Sequence, residues 1–397
     1  MINDNDENID FSPTSFNEIH HEPFIDDIIF EIVQFFESLF IVQVCMKISK
    51  QWRRVSFQIP LSLSFAENYF KQVPESIILL ANCECLKNLV SLNLKHNEIG
   101  NEGVKFIATS EWLKNLTSLN LNINTIGNEG IKYIATSESL KNLTSLDLYG
   151  NEIDNEGIKY IANSEWLKNL TYLNLSSNKF HNEGVSYISN SEHLKNLTSL
   201  NLSSNRIRYN RVNHISISEC WKNLTSLSLS NNGIGNSGVK YVVNSEWLKN
   251  LTFLNLSRSV IGNEGVKYIT TSDFLKNLTS LNLRSNRIGN EGVKYIAASE
   301  YLKNLISLEL SENQIDSEGA KYFATSGCLK NLTCLDLRSN NIDSEGVKYI
   351  AISESLKHLT SLDLRYNAIG TEGAKYIAAS EYLKNLTSLN LHGFNWQ

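Results

Sequence analysis

A unit of 27 residues repeats along most of this chain without an insertion or a deletion. The first copy occupies residues 89–115 and reads LVSLNLKHNEIGNEGVKFIATSEWLKN. Ten further full copies follow, the last beginning at Leu359, and a truncated copy opens at Leu386. A single copy is too small to bury its own apolar face, so a fixed period of this length means that neighbouring copies stack. Residues 89–397 are therefore predicted to form a solenoid.

The opening part of each copy has the pattern of a β-strand. In the first copy Leu89, Leu92 and Leu94 are predicted to face the core, while Ser91 and Asn93 face outward. Each strand can pair only with its counterparts in the adjacent copies. The sheet is therefore predicted to be parallel.

An asparagine follows the strand in ten of the eleven full copies, beginning with Asn97. A column of buried amides is stable only if each amide is hydrogen-bonded, so we expect it to bind the backbone of the turn and of the adjacent copy. The exception is Ser259, whose shorter side chain is expected to reach fewer partners.

The second part of each copy has the pattern of a helix. Asn101 is predicted to be the N-cap, with Glu102 in the first turn, where the helix dipole favours an anion. Apolar residues three and four positions apart predict a core-facing stripe, and Gly103 is expected to allow close approach of backbone. We interpret a recurring aromatic position as packing between copies: Phe106, Tyr133, Tyr160, Tyr187, Tyr241, Tyr268, Tyr295, Tyr322, Tyr349 and Tyr376.

The pattern L-x-x-L-x-L-x-x-N followed by a helix resembles the leucine-rich repeat, and most closely its helix-bearing, ribonuclease-inhibitor-like class. The resemblance covers about three quarters of the chain. It implies an α/β solenoid curved like a horseshoe, with a parallel sheet on the concave side and helices on the convex side. The concave sheet would have room for a protein or a long peptide.

The chain before the repeats changes character at Pro23. Residues 1–21 are acidic and poor in apolar side chains, so we expect a disordered tail. Residues 22–60 contain apolar residues at helical spacing and are predicted to form a small domain of three short helices. Residues 61–88 are predicted to be a linker and cap, with a short strand at 61–65 and a helix at 75–86.

The helical segment resembles an F-box. Asp26, Asp27, Ile28 and Ile29 follow the order of that motif, and the closing Ile-Ser-Lys-Gln-Trp-Arg at 48–53 matches its end. Phe24 takes the place of the family's Leu, and Ile25 stands where the family has Pro. The resemblance implies docking of the small adaptor subunit of a cullin–RING ubiquitin ligase, through Phe24, Ile25, Ile28, Ile32, Phe35, Phe36, Val44 and Trp52. The alternative is that these helices only cap the apolar end of the solenoid.

Function in a solenoid is expected where near-identical copies diverge. Arg and Tyr anchor many protein interfaces. The predicted target-binding residues are Tyr149, Tyr172, Phe253, Arg258, Arg284, Arg287, Arg338, Arg365 and Tyr366. The acidic residues Glu309, Glu312, Asp336 and Asp363 lie among the later arginines. The alternative is therefore that these arginines only pair with neighbouring acids on a solvated face.

The fifth copy departs from the others. Arg208, Tyr209, Asn210 and Arg211 replace the usual Gly-Asn-Glu-Gly, and Trp221 replaces a leucine. Its helix has lost the capping residue and the glycine. Two interpretations remain open: a decayed copy that frays locally, or a bend or basic contact site on the outer rim.

Composition excludes several classes of protein. The net charge is −6, and residues 1–46 hold ten acids and no Lys or Arg, which leaves 36 basic against 32 acidic residues elsewhere. Neither part is basic enough to indicate a nucleic-acid partner. We expect no membrane segment and a cytoplasmic or nuclear location, because no apolar run suggests a secretion signal or a bilayer span. The six cysteines are expected to be free thiols in a reducing compartment.

The sequence contains no recognisable catalytic constellation. The eight His residues are scattered, and Gly-Asn-Glu-Gly is a helix start rather than a phosphate-binding loop. We therefore expect no enzymatic activity, cofactor or metal. The predicted function is a substrate receptor of a cullin–RING ligase that holds a protein target on the concave face. The alternatives are a plain interaction scaffold and, in the class of enzyme regulators, a GTPase-activating protein.

Overall fold

A computed structural model describes residues 26–33, 37, 41–72, 74–208, 214 and 218–392. The chain divides into two compact units, residues 1–60 and 61–397. No helix in these described ranges is long and apolar enough to cross a bilayer. Four residues of the predicted adaptor-binding set, Phe24, Ile25, Phe35 and Phe36, lie outside them, as do Tyr209, Asn210 and Arg211 of the fifth copy.

The first unit is helical. Its elements are α1 (Asp26–Val33), a π-helix (Ile41–Cys45), α2 (Met46–Ile48) and α3 (Lys50–Ser56). Ile29, Val33, Ile41 and Val55 are buried and form its core. The hydroxyl of Ser49 accepts a hydrogen bond from the backbone N–H of Trp52 at 3.2 Å and so caps α3.

The second unit contains one open, parallel sheet, which confirms the predicted leucine-rich repeat solenoid. Its thirteen strands pair in chain order. They are β1 (Leu61–Ser64), β2 (Leu89–Asn93), β3 (Ser118–Asn120), β4 (Ser145–Asp147), β5 (Tyr172–Asn174), β6 (Ser199–Asn201), β7 (Ser226–Ser228), β8 (Phe253–Asn255), β9 (Ser280–Asn282), β10 (Ser307–Glu309), β11 (Cys334–Asp336), β12 (Ser361–Asp363) and β13 (Ser388–Asn390). Equivalent residues of successive copies lie opposite each other, as Leu92 does opposite Leu119.

A helix follows most strands on the other side of the core. The helices are α4 (Tyr69–Gln72), α5 (Ser76–Ala81), α6 (Gly100–Thr109), α7 (Asn128–Ala135), α8 (Asn155–Ala162), α9 (Asn182–Ser189), α10 (Gly235–Val243), α11 (Asn263–Thr270), α12 (Asn290–Ala297), α13 (Ser317–Ala324), α14 (Ser344–Ala351) and α15 (Gly370–Ala378). Val104, Ile107 and Ala108 are buried, as the helical periodicity predicts. The core therefore runs between the sheet and the helices.

The asparagine column is buried, and its side-chain amides are hydrogen-bonded to backbone groups. In Asn286, Oδ1 accepts bonds from the backbone of Ser259 at 2.9 Å and Ile261 at 3.1 Å, and Nδ2 donates to two carbonyl oxygens. Ser259 Oγ donates to the carbonyl of Ser257 at 3.1 Å, with a longer contact of 3.4 Å to Leu229. The prediction that Ser259 reaches fewer partners is confirmed, because a hydroxyl cannot both donate twice and accept twice in this geometry.

The predicted N-cap role of Asn101 and its equivalents is wrong. Helix α7 begins at Asn128, and its N-cap is Gly127. Asn101 belongs to the preceding copy, and its Oδ1 accepts bonds from the backbone of Gly127 at 2.9 Å and Gly130 at 3.0 Å. Each such asparagine thus satisfies N–H groups at the start of the next helix rather than its own, which ties consecutive copies together.

The aromatic column packs between copies, as predicted. The ammonium of Lys240 lies 5.4 Å from the ring centroid of Tyr268 in the following copy. The Tyr268 hydroxyl donates to Glu264 at 3.0 Å, one helical turn earlier. The same cation–π contact recurs along the solenoid, for example between Lys105 and Tyr133. The column therefore stabilises stacking.

The expectation that all cysteines are free thiols is wrong for Cys83 and Cys85, which form a disulfide. Their Cα atoms lie 5.4 Å apart, within the range that a disulfide spans. Cys83 occupies the position of Ser110, whose hydroxyl bonds the carbonyl of Ala81 in the preceding copy. The other cysteines in the structure are free, and burial raises the pKa of Cys220 to about 11.

Candidate functional site

Helix α1 is apolar on two faces. Ile29 and Val33 are buried, whereas Ile28 and Ile32, four residues apart, are 47% and 40% exposed. Val44 and Ile48 are also exposed, at 41% and 55%. We call Ile28, Ile32, Val44 and Ile48 the apolar surface of the helical unit. Exposed apolar side chains such as these four are candidates for a protein contact.

The described members of the predicted adaptor-binding set differ in their exposure. Ile28, Ile32 and Val44 belong to the apolar surface, while Trp52 is half-buried. Ile48 belongs to the F-box-like motif but not to the predicted contact set. Its position one residue before the α3 cap exposes it, a signal that the apolar pattern alone does not provide.

Polar contacts hold the helices of this unit together. Arg54 donates from Nη2 to both carboxylate oxygens of Asp26, at 2.8 and 2.9 Å, and Gln51 donates to the same group at 3.0 Å. These hydrogen bonds, first that of Arg54 and then that of Gln51, lower the pKa of Asp26. Arg53 donates to the carbonyl of Met46 at 3.0 Å. Ser49, Arg53 and Arg54 thus have structural roles within the unit.

The outward strand positions and the residues that directly follow each strand form the outward face of the sheet. The resemblance predicts that this face is concave, and we call it the concave face. The predicted target-binding residues all lie on it, but they do not form one cluster. Tyr149 in the third copy and Tyr366 in the eleventh are eight strands apart, roughly 40 Å at the usual strand spacing. Tyr172, Phe253, Arg284, Arg338 and Arg365 are half-buried, whereas Arg258, Arg287 and Tyr366 are exposed.

Glu312 draws two of the predicted arginines together. Its carboxylate pairs with Arg284 and approaches Arg258 at 3.9 Å, and it also accepts a hydrogen bond from Ser285. The bonds from Ser285 and Arg284 lower the pKa of Glu312. The buried Nε of Arg284 has no hydrogen-bond partner in the structure. This group joins the seventh, eighth and ninth copies on one surface.

Three carboxylates stand in register on the last part of this face. Glu309 lies opposite Asp336, which lies opposite Asp363. Burial and the neighbouring Asp336 raise the pKa of Glu309. Arg365 binds Asp363 of its own copy through two nitrogens, at 2.9 and 2.5 Å. Arg284 and Arg365 therefore pair with neighbouring acids, as the alternative interpretation predicts. Arg287 forms no ion pair with any described residue, so that alternative does not apply to it.

The seventh copy concentrates departures from the repeat. Besides Phe253, Arg258 and Ser259, it carries Val260, which is 56% exposed. Arg258 and Val260 have left-handed backbone, with φ of 51° and 58°. A β-branched residue is strained in this region, and the second copy has one at the equivalent position, Thr125, with φ of 56°. The repeat pattern does not by itself predict a role for Val260, although Phe253, Arg258 and Ser259 mark the same copy as unusual.

Replacing Val260 by Asn is expected to stabilise the solenoid by about 1 kcal/mol, because Asn tolerates left-handed backbone better than a β-branched side chain does. Urea unfolding followed by circular dichroism measures the change. Val260→Thr keeps the branching and is the matched control, with no gain expected. A Val260→Asn protein no more stable than the Thr variant would contradict the argument.

The class of protein that this fold defines is a solenoid scaffold with a repeating core and a variable outward face. A family profile described as Leucine Rich repeat matches residues 85–108, 113–135, 139–162, 167–189, 193–210, 222–243, 248–269, 274–297, 301–324, 328–351 and 355–378. The chain belongs to the leucine-rich repeat family, and the family character is that of a protein-binding scaffold.

Solved structures similar to this chain include an internalin (inlF) from Listeria monocytogenes, at 22% identity and a TM-score of 0.41. That match covers 74% of this chain and 89% of the internalin. Another is the leucine-rich repeat ectodomain of the Arabidopsis receptor kinase HAESA in complex with a peptide hormone, at 19% identity and a TM-score of 0.44. It covers 77% of this chain and 46% of that ectodomain chain. No curated protein matches the sequence.

Proposed function

We propose that this protein is the substrate receptor of a cullin–RING ubiquitin ligase, acting in the cytoplasm or nucleus. In this proposal residues 22–60 are an F-box-like domain that docks the ligase's small adaptor subunit. Residues 61–88 cap a solenoid of ribonuclease-inhibitor-like repeats at 89–397, whose concave face holds the target. The observation that carries the proposal is the apolar surface on a helical unit whose sequence resembles an F-box.

The proposed adaptor contact is hydrophobic. Ile28, Ile32, Val44 and Ile48 are each about half exposed, and burying the exposed part of one such side chain contributes roughly 1 kcal/mol. The protein would catalyse no reaction itself. Holding a target beside the ubiquitin-loaded enzyme raises the effective concentration of the reacting groups, which is a catalytic contribution without a catalytic residue.

Exchanging Ile28 and Ile32 together for Glu is expected to weaken adaptor binding by the full-length protein at least tenfold. Two carboxylates would have to be desolvated in an apolar contact, while both positions are exposed and tolerate charge in the free protein. Capture of the purified adaptor subunit on immobilised protein, titrated over concentration, gives the dissociation constants.

Leu79→Glu is the control for that experiment, because Leu79 is an exposed apolar residue of the other unit. It should leave adaptor binding unchanged. If the wild-type protein does not bind the adaptor, or if the double variant binds equally well, the receptor proposal fails.

The plain interaction scaffold is the second candidate. The observation that favours it is the structural use of the Ser-Lys-x-Trp-Arg segment. Ser49 caps α3, Arg53 binds the Met46 carbonyl, and the adjacent Arg54 pairs with Asp26. A helical cap would need these contacts too, so they explain the residues of this segment without an adaptor. Absence of adaptor binding would leave this function.

A further inference from the structure

The charge of the strands and of the turns that follow them is segregated along the solenoid. We consider in each copy the strand and the turn after it, the first twelve residues. In copies four to eight these segments are 170–181, 197–208, 224–235, 251–262 and 278–289, and they contain no Asp or Glu. They hold six basic residues, which we call the basic tract: Lys179, Arg206, Arg208, Arg258, Arg284 and Arg287.

Acidic copies bound the tract at both ends. The corresponding segment of the third copy contains Asp147, Glu152 and Asp154, and that of the ninth contains Glu309, Glu312 and Asp316. The boundary acids engage the outermost basic residues. Glu152 pairs with Lys179 at 3.3 Å, and Glu312 pairs with Arg284. The basic tract is therefore limited in length.

The other residues of the tract are available for a ligand. Arg206, Arg208 and Arg287 are exposed, and none forms an ion pair with a residue that the structure describes. Arg258 is exposed and has only the 3.9 Å contact with Glu312. Guanidinium groups without carboxylate partners repel each other, so a surface that collects them is stabilised by an anionic partner.

The tract lies along one edge of the sheet. Arg206 and Arg287 occupy the same position of their copies, after the carboxyl ends of β6 and β9, and Arg258 follows β8 by three residues. From the first to the last of these five strands the distance is roughly 19 Å, the length of about six residues of extended peptide. Two aromatic residues replace serine within the same five copies, Tyr172 on β5 and Phe253 on β8, both half-buried. They are about 14 Å apart at the usual strand spacing.

We infer that the basic tract binds an extended, Asp- and Glu-rich segment of a target protein. Carboxylates would pair with Arg206, Arg258 and Arg287, and apolar residues of the segment would pack on Tyr172 and Phe253. This inference rests on the proposed function only in taking the concave face as the site for the target. Arginine supplies planar, paired donors that match carboxylates, and complementary charge also speeds encounter.

The boundary acids favour a short peptide over a nucleic acid. A polynucleotide that continued past the tract would meet Asp147 and Glu152 at one end and Glu309 and Glu312 at the other. An acidic peptide segment of limited length meets only the tract. Repulsion at both ends also sets the register of the bound segment, because carboxylates displaced by one or two copies lie beside acids.

The test is fluorescence anisotropy with the full-length protein and a labelled peptide of about eight alternating Glu and Asp residues that includes one Phe. Binding is expected, with an affinity that falls as salt rises because the contacts are charged and exposed. The variant Arg206→Glu/Arg258→Glu/Arg287→Glu is expected to bind at least tenfold more weakly. Circular dichroism checks that it remains folded.

The matched control carries the same change of net charge away from the concave face. Lys330→Glu/Lys357→Glu/Lys384→Glu alters three exposed lysines in the turns of copies nine to eleven and should bind within about twofold of the wild type. Equal losses in both triple variants would show that net charge alone is sensed, and would overturn the inference.

Further arms distinguish the kind of partner. A phosphoserine peptide that binds where the carboxylate peptide does not, or a single-stranded oligonucleotide that binds more tightly than the peptide, would overturn the assignment. A Lys-rich peptide should not bind. The assay contains no adaptor subunit, so its failure and a failure of the ligase proposal remain separate results.

Discussion

Replacing Asn313 by alanine is expected to lower the free energy of unfolding of the solenoid by about 3 kcal/mol, because several buried backbone groups lose their partner at once. Its Oδ1 accepts from two N–H groups at 3.0 and 2.9 Å, and its Nδ2 donates to three carbonyls at 3.0 to 3.2 Å. The partners belong to Asn286, Ile288, Leu283, Leu310 and Ser311. Asn313 is buried, so water cannot replace these bonds without opening the stack.

Urea unfolding measured by circular dichroism gives the change in stability, and amide exchange locates it. Copies of a solenoid contact only their neighbours, so weakening one junction loosens the copies on its two sides first. Exchange should therefore accelerate in the eighth and ninth copies before the rest. Unchanged exchange at Ile288, whose N–H binds Asn313 directly, would contradict the assigned role.

The natural serine at 259 supplies the matched comparison. Asn313→Ser is expected to destabilise less than Asn313→Ala, since a hydroxyl retains a bond such as that of Ser259 to the Ser257 carbonyl. The reverse change, Ser259→Asn, is expected to stabilise by about 1 kcal/mol by restoring an acceptor for the preceding copy. A ranking in which Asn313→Ser is the worse variant would sink the hydrogen-bond argument.

The fold could be predicted because one copy contains the information that it requires. Leucine spacing predicts the strand, helical spacing predicts the stripe of Val104, Ile107 and Ala108, and a fixed period predicts that identical positions stack. The asparagine column follows from the same reasoning, since a buried amide that recurs every 27 residues must be satisfied by its neighbours. Each of these predictions depends only on one copy and on the same positions of the neighbouring copy.

What could not be predicted depends on contacts between different positions of neighbouring copies. Asn101 has the residue type of an N-cap, yet it serves the helix that starts at Asn128. The distance that decides this lies between copies and has no counterpart in the linear pattern. The disulfide between Cys83 and Cys85 likewise depends on local backbone geometry at the first turn, where no preceding copy imposes the repeat.

The candidate sites divide in the same way. The sequence identifies the variable outward positions, and these do lie on the concave face. It does not show which charges are already paired, because pairing depends on strand register. Arg365 is held by Asp363, whereas Arg287 has no such partner among described residues. On α1 the periodicity treats Ile28 and Ile29 alike, and only packing separates the exposed side chain from the buried one.

Exchanging Gly292 for alanine is expected to destabilise the solenoid by about 2 kcal/mol, an effect typical of overpacking a tight site. At an ordinary helix position this exchange would stabilise the protein instead, because alanine in a helix is favoured over glycine by about 1 kcal/mol. Gly292 lies in α12, and a Cβ there would lie 2.6 Å from Cγ2 of Ile288 and 2.7 Å from Oδ1 of Asn263. Ile288 is fully buried and has no free space to move into.

The close approach exists because Asn263 binds the start of the next helix. Its Oδ1 accepts from the backbone of Gly289 at 2.9 Å and of Gly292 at 3.1 Å. A methyl group at position 292 would displace this oxygen and leave two N–H groups without an acceptor. The expected loss of stability therefore combines a steric term with the loss of a link between the seventh and eighth copies.

Gly262→Ala, at another glycine of the repeat, is the control. Gly262 also donates its N–H to the asparagine of the preceding copy, at 3.0 Å, but a Cβ there would meet no atom within 4 Å. Its φ of −99° suits any residue, so this change is expected to be neutral or to stabilise by about 0.5 kcal/mol through the unfolded chain. Urea midpoints of the two variants decide the question. If Gly292→Ala were as stable as Gly262→Ala, the contact with Asn263 would not be what requires glycine at this place in the repeat.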